Sequence, residues 1–263
     1  MPLVSLVTVC RNAAADLTIT ARSVLAQTSR DFEYIIVDGH SSDGTQELLP
    51  ALTHDFEQAG IPFRYISEQD QGIYDAMNKG VQLAQGEWIC YMNAGDALAS
   101  PQVLAQIFFV SVPDHIAVLY GDAIEEYDFG SVLLAGHGSK KLDPVMPFCH
   151  QAAFVRRECM LNYQFDLQYK ILGDHDLFYR MRQAGEAFLH RGYIIVRYNA
   201  RYGVSANHPL KLQLERHRIY GINRSSLYFF RYFYTVIRSG CVPILKKLLP
   251  RTWVNAIMKH RRS

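Results

Sequence analysis

Short apolar runs rich in β-branched residues alternate with amphipathic stretches through the first 120 residues, and no other feature constrains the fold as much. LVSLVTV at 3–9 and YIIV at 34–37 are continuously apolar, as strands buried on both faces are. Between them Leu17, Ala21, Val24 and Leu25 recur at helical spacing over 15–26, with Asp16 or Thr18 placed to cap the start. The turn-rich GHSSDGT follows Asp38, then an amphipathic stretch from Thr45 to Phe56 and a strand-like FRYIS at 63–67. The same reading gives a helix over 72–84, a strand over 87–92, a helix over 103–110 and a strand over 116–120. Strands that alternate with helices in this way predict an α/β fold, a three-layer and mostly parallel sheet.

After residue 121 the pattern loosens. EEYDFGSVLLAG reads as a hairpin, Pro144–Pro147 as loop, 175–184 as helix, and 187–198 as paired strands separated by Gly192, an antiparallel addition that makes the sheet mixed. Neither a repeat nor a low-complexity linker interrupts the chain, so the expected organisation is one domain over 1–205 and a helical appendage over 206–263.

With 263 residues, 49% hydrophobic and 20% charged, the chain has an ordinary globular balance, which excludes stapled miniproteins, disordered chains and coiled coils. Charge is divided unevenly: 24 acidic and 14 basic residues stand up to position 200, 1 acidic and 13 basic after it. The two parts face different partners. Cys10, Cys90, Cys149, Cys159 and Cys241 are an odd set with no CxxC, read as reduced thiols. No basic leader precedes the first apolar run, so the expected location is cytoplasmic.

Ligands of open α/β sheets bind beyond the carboxyl ends of the parallel strands. Arg11 and Asn12, Asp38, Glu68 to Gln71, and Asn93 to Asp96 all stand just after an apolar run, which gathers carboxylates at one edge. Any one of them alone is a turn former or helix cap. Neither GxGxxG nor GxxxxGK[ST] occurs, so a diphosphate needs another anchor. A divalent cation, Mg²⁺ or Mn²⁺, serves where one or two carboxylates are completed by phosphate oxygens and water, and Asp96 in MNAGDAL is placed for it.

Taken together, VSLVTVCRN, IIVDGHSSDGT, DQGIYDAMNKGVQLAQGEWICYMNAGDAL and ILGDHDLFYRM resemble the family 2 glycosyltransferases, inverting enzymes of the glycosyltransferase A fold, over roughly 3–205. The resemblance implies a nucleotide-sugar donor, a UDP-sugar by preference. It implies that Asp38 helps hold the nucleobase, with Gly39 standing where the family often shows a second acid. Asp70, Asp75 and Asn78 fall in its next donor-side stretch. NAGD at 93–96 corresponds to the family's Asp-x-Asp metal motif, with Asn93 for the first acid and Asp96 kept, so metal dependence is open. His208 is a candidate second ligand or a surface residue. Asp174 occupies the place of the base that deprotonates the acceptor. Asp176, two residues on, points about 200° away on a helix, so one of the two faces the cleft, and Asp174 is either that residue or only a helix cap. Lys79 is placed to stabilise the departing diphosphate. His150 and Gln151 resemble acceptor-side residues of polysaccharide enzymes, or form a structural pair bonded to backbone.

The implied activity is transfer of a hexosyl or N-acetylhexosaminyl unit to a hydroxyl of a glycan or lipid-linked acceptor in cell-surface polysaccharide biosynthesis. The alternative is a decayed nucleotide- or glycan-binding protein of the same fold. The tail, with LYFFRYFY at 227–234 and KK at 246–247, has no uninterrupted apolar stretch of membrane-spanning length. Its aromatic and basic residues suit helices on an anionic membrane surface, at the inner face of the cell membrane, or packing against the core or a sister subunit of a homo-oligomer. Nucleic acid is not an expected partner, since no binding motif accompanies the basic residues.

Overall fold

The computed structural model describes residues 2–127, 130–136, 148–199 and 208–221. β1 (Val4–Cys10), β2 (Phe32–Asp38), β3 (Phe63–Ser67) and β4 (Trp88–Asn93) are parallel and lie in the order β3-β2-β1-β4. They are linked by α1 (Ala14–Leu25), α2 (Thr45–Gln58) and α3 (Ile73–Leu83). The sheet continues through β8 (Ala153–Arg156), β6 (Ile116–Tyr127), β9 (Ala187–Asn199) and the two-residue β5 (Ala97–Leu98). β8 runs antiparallel to β4 and β6, β9 is parallel to β6, and β7 (Gly130–Leu134) forms a hairpin with β6. The sheet is mixed, as expected.

Period-two alternation divides each buried strand between two cores. Leu6 and Ile36 face Leu17, Val24 and Phe56 of α1 and α2, together with Leu104 of α4 (Val103–Ile107). Val7 and Ile35 face Met77 of α3, Met160 of α5 (Arg157–Tyr163), and Leu177 and Met181 of α6 (Gly173–Gln183). Helices therefore cover both faces and leave the carboxyl edge of β1 to β4 open for chemistry.

Two departures from the sequence reading have physical causes. α1 starts at Ala14, ahead of both Asp16 and Thr18, because the 41–45 loop caps it from outside: Thr45 Oγ1 accepts the Ala13 N–H at 3.1 Å and Asp43 Oδ2 accepts the Ala14 N–H at 3.2 Å. Residues 187–199 form one strand rather than two, because the long β6 supplies a continuous partner and the residues around Gly192 are absorbed as a bulge opposite Gly121. Beyond β9, α7 (Pro209–Ile219) packs on the body, with Leu212, Ile219 and Tyr220 against Tyr169, Ile171, Leu172 and Tyr179. The Pro144–Pro147 loop and the tail from 222 lie outside the described residues.

Candidate active site

At the end of β2, Asp38 is fully buried and its carboxylate is saturated from within the protein. Ser41 donates to it from both backbone, at 3.1 Å, and hydroxyl; Ser67 at the end of β3 donates at 2.6 Å, and the Cys10 thiol at 3.8 Å. Burial and this carboxylate push the Cys10 thiol up to about 12. The Ser41 hydroxyl in turn accepts the Asn12 N–H at 2.7 Å, and Asn12 Oδ1 accepts the Ser42 N–H at 2.9 Å. Asn12 and His40 both hold positive φ, 52° and 59°, in these two loops. Asp38 thus shapes the loop, in which His40 and Ser42 are exposed.

The 68–79 stretch is tied mostly to itself. Asp70 Oδ1 accepts the Gly72 N–H at 2.9 Å, and its other oxygen fills the space that a Cβ at Gly39 would take. Lys79 Nζ joins the Gln69 carbonyl at 2.7 Å, Glu68 at 2.8 Å and Asp75 at 3.5 Å. Asp75 also accepts the Gln71 N–H at 3.0 Å. Asn78 spends its amide on the Phe165 backbone, with two bonds of 2.9 Å. It therefore braces the loop before α6.

Residues 93–96 form a tight turn after β4, closed by the Asp96 N–H on the Asn93 carbonyl at 3.0 Å. Gly95 takes φ 97°, which a side chain would resist. Asp96 Oδ2 accepts the Asn93 N–H at 2.8 Å. Burial raises the Asp96 carboxyl to about 6, against the lowering effect of the Asn93 N–H, the nearby His150 and the Gln151 side chain. Asn93 Oδ1 is buried without a hydrogen-bond partner among the described residues. A buried acceptor with nothing to accept is costly unless a ligand completes it.

The third cluster joins elements far apart in sequence. His150 opens a single 3₁₀ turn, His150–Ala152, just before β8, and its Nδ1 lies 3.0 Å from Asp174 Oδ2 in the first turn of α6. Asp174 Oδ1 accepts the His175 N–H at 2.9 Å and the Tyr74 hydroxyl at 3.3 Å. Close approach to Tyr74 is possible because residue 173 is glycine: a Cβ there would stand 2.7 Å from the tyrosine ring. Burial alone would raise the Asp174 carboxyl, yet the His150 hydrogen bond and charge, with His175, hold it at about 2. His150 Nε2 is buried and has no partner among the described residues. Asp176 faces elsewhere, bonded to Arg180 Nε at 2.7 Å.

The structure thus joins His150 to Asp174 at 3.0 Å, and sets Asp96 where His150 and Gln151 both act to lower its carboxyl. His208 is exposed at the start of α7, and among the described residues no three His, Cys, Asp or Glu side chains are grouped to hold a metal. Sequence reasoning passed over Ser41, Ser67, Tyr74 and His175. The serines stand in or beside the expected strand-end turns, a signal that was available; the reach of Tyr74 to α6, 100 positions on, left none.

A mixed sheet with helices on both faces and buried acids beyond the carboxyl ends of its parallel strands defines an α/β protein with its ligand site at that edge. Solved structures agree. A Pyrobaculum calidifontis mannosyltransferase, in complex with GDP-Man and Mn²⁺, matches 90% of this chain and 69% of its own at TM-score 0.65 and 14% identity. S. aureus TarS 1-349 with UDP-GlcNAc matches 89% and 69% at TM-score 0.63 and 14% identity. The chain belongs to glycosyl transferase family 2, whose model matches residues 5–158. It is 33% identical to a PGL/p-HBAD biosynthesis glycosyltransferase of Mycobacterium tuberculosis over 180 residues, 66% of this chain and 68% of that protein. It is also 31% identical to the putative teichuronic acid biosynthesis glycosyltransferase TuaG of Bacillus subtilis, over 41% of this chain and 42% of that one.

Proposed function

We propose that this glycosyltransferase moves a hexosyl or N-acetylhexosaminyl unit, with inversion, from a nucleoside-diphosphate sugar to a hydroxyl of a glycan or lipid-linked acceptor in cell-surface polysaccharide biosynthesis. A UDP-sugar is the favoured donor. The observation that carries this reading is the Asp174–His150 pair, joined at 3.0 Å, with a buried aspartate and an outer imidazole nitrogen that is buried and has no partner among the described residues.

The acceptor hydroxyl attacks the anomeric carbon in a single displacement, which inverts it. Its proton passes to the Asp174–His150 pair, joined by the 3.0 Å contact of Oδ2 with Nδ1. General-base help of this kind contributes about 10²- to 10⁴-fold. The Asp174 carboxylate and the His150 imidazole hold each other in place through the 3.0 Å contact of Oδ2 with Nδ1. Tyr74 and the His175 N–H fix the carboxylate.

On the donor side, Asp38 backs the nucleobase end of the cleft through Ser41 and Ser67, and Asp70 and Asp75 border the nucleoside. Lys79 and Asn78 keep the 68–79 stretch and the loop before α6 in place. Asn93 Oδ1 and the Asp96 carboxylate are two hard oxygen donors, which fits Mg²⁺ or Mn²⁺ completed by diphosphate oxygens. A cation held by these two oxygens would supply charge neutralisation for the leaving diphosphate. His208 is a further candidate ligand. Gln151 keeps Asp96 in place, and Gln151 with His150 borders the acceptor. The basic tail carries the protein to the inner membrane face, where a lipid-linked acceptor would reside; among the described residues no helix is long and apolar enough to cross a membrane.

The test is calorimetric binding of UDP-glucose, UDP-GlcNAc, UDP-galactose and GDP-mannose with and without Mn²⁺, on wild type and Asp96→Ala. At least one donor is expected to bind wild type and to weaken at least tenfold in the variant. Absence of binding by wild type in every combination would overturn the donor site.

A further inference from the structure

The group proposed to take the acceptor proton is set in place from the far end of the described chain. Residues 170–172 lead directly into α6, two positions ahead of Asp174. Their three consecutive N–H groups all converge on one carboxylate, that of Glu215 in α7. Oε1 accepts from Lys170, and Oε2 from Ile171 and Leu172, each at 2.9 Å. Glu215 is buried, 4% exposed, and α7 is anchored through Leu212, Ile219 and Tyr220. α7 lies outside residues 5–158, the part that the family model matches.

The same short segment is gripped from the opposite side. Tyr74 donates its hydroxyl to the Ile171 carbonyl at 2.8 Å and reaches Asp174 Oδ1 at 3.3 Å, while Lys170 Nζ bonds the Gln71 carbonyl at 3.1 Å. Three charge-assisted bonds to successive amides leave the segment little freedom to shift along the chain. The first turn of α6, and with it the Asp174 carboxylate, inherits that position.

We infer that Glu215 is a positioning residue for the Asp174–His150 pair, and that α7 is a working part of the active site. The inference rests on the reading of that pair as the base. Displacement of a reacting group by about 1 Å can lower turnover 10²-fold, so Glu215→Gln, which places an amide NH₂ against backbone N–H donors, is expected to lower kcat about 10- to 100-fold. Donor KM is expected to change less than about threefold, because the donor-side residues are untouched.

The experiment compares Glu215→Gln, Leu212→Ala and Asp174→Asn in the full chain. Turnover is read as nucleoside diphosphate released from the four donors above in the presence of a bacterial membrane extract as acceptor source. Hydrogen exchange is followed in peptides covering 168–178. Leu212→Ala loosens α7 packing but keeps the carboxylate, so it is the measure of a merely structural role. Support is a kcat loss in Glu215→Gln well beyond that of Leu212→Ala at equal Tm loss, with faster exchange confined to 168–178. Equal kcat in the two variants, or unchanged exchange at 168–178 in Glu215→Gln, overturns the positioning role. If Asp174→Asn transfers sugar at the wild-type rate, the base assignment itself fails and the Glu215 role goes with it. Wild-type kcat in Glu215→Gln beside an inactive Asp174→Asn rejects the positioning role alone.

Discussion

β2 and β4 flank β1 on either side, and each strand end carries a buried aspartate, but the protein finishes the two ends in opposite ways. At the end of β2 both oxygens of Asp38 are taken by Ser41, Ser67 and Cys10. At the end of β4 the Asp96 carboxyl is pushed up to about 6 by burial, and the neighbouring Asn93 Oδ1 accepts nothing among the described residues. A saturated buried carboxylate has no bonding capacity left over, whereas a buried polar atom without a partner does. The Asp174–His150 pair, with its unpartnered Nε2, belongs to the second kind.

Variants sharpen that contrast. Asp174→Asn should give the largest effect, a fall in transfer of about 10²- to 10⁴-fold with donor affinity within about twofold, measured as initial rate and calorimetric Kd. A rate near wild type would place Asp174 with Asp38, among the architectural carboxylates. Asp38→Ala comes next. It strands the Ser41 and Ser67 donors and should destabilise the fold by about 2–4 kcal/mol in urea titration; unchanged stability would break the comparison from the other side.

Asp96→Asn should act with opposite sign on stability. A carboxyl raised to about 6 binds its proton more tightly folded than unfolded, so the wild type loses stability as pH rises from about 4 to about 6 and stays lower above that. The variant lacks this penalty. It should gain on the order of 1–3 kcal/mol at pH 7 while losing donor affinity, read by thermal melts across pH and by calorimetry. Asp174 shows the reverse linkage: held at about 2, its contribution is complete above about 4 and is lost as pH falls towards about 2. Ser67→Ala gives the smallest effect, about 0.5–1.5 kcal/mol of stability, with donor Kd within about threefold.

The parallel half was legible almost to the residue. Strands expected at 63–67 and 87–92 occur at Phe63–Ser67 and Trp88–Asn93, and helices expected at 45–56 and 72–84 occur at Thr45–Gln58 and Ile73–Leu83. Each of these elements announces itself through its own periodicity and the turn that ends it. β8 does not: four residues, Ala153–Arg156, carry no period of their own and become a strand because β4 and β6 flank them. The same division runs through the site. Asp38, Asp96 and Asp174 were visible as acids beyond apolar runs or in a recognisable motif, but the partners that give them distinct characters were not.

Residue order alone determined the alternation, the strand ends and the acidic edge, because strand and helix periods and turn chemistry are local properties of consecutive residues. Tertiary structure decided which acid is saturated, which is left incomplete, and that Glu215 grips the segment leading to Asp174 from 43 to 45 positions further along the chain. Those outcomes depend on burial and on contacts between distant segments, and desolvation and pairing are quantities that exist only after the chain has closed on itself.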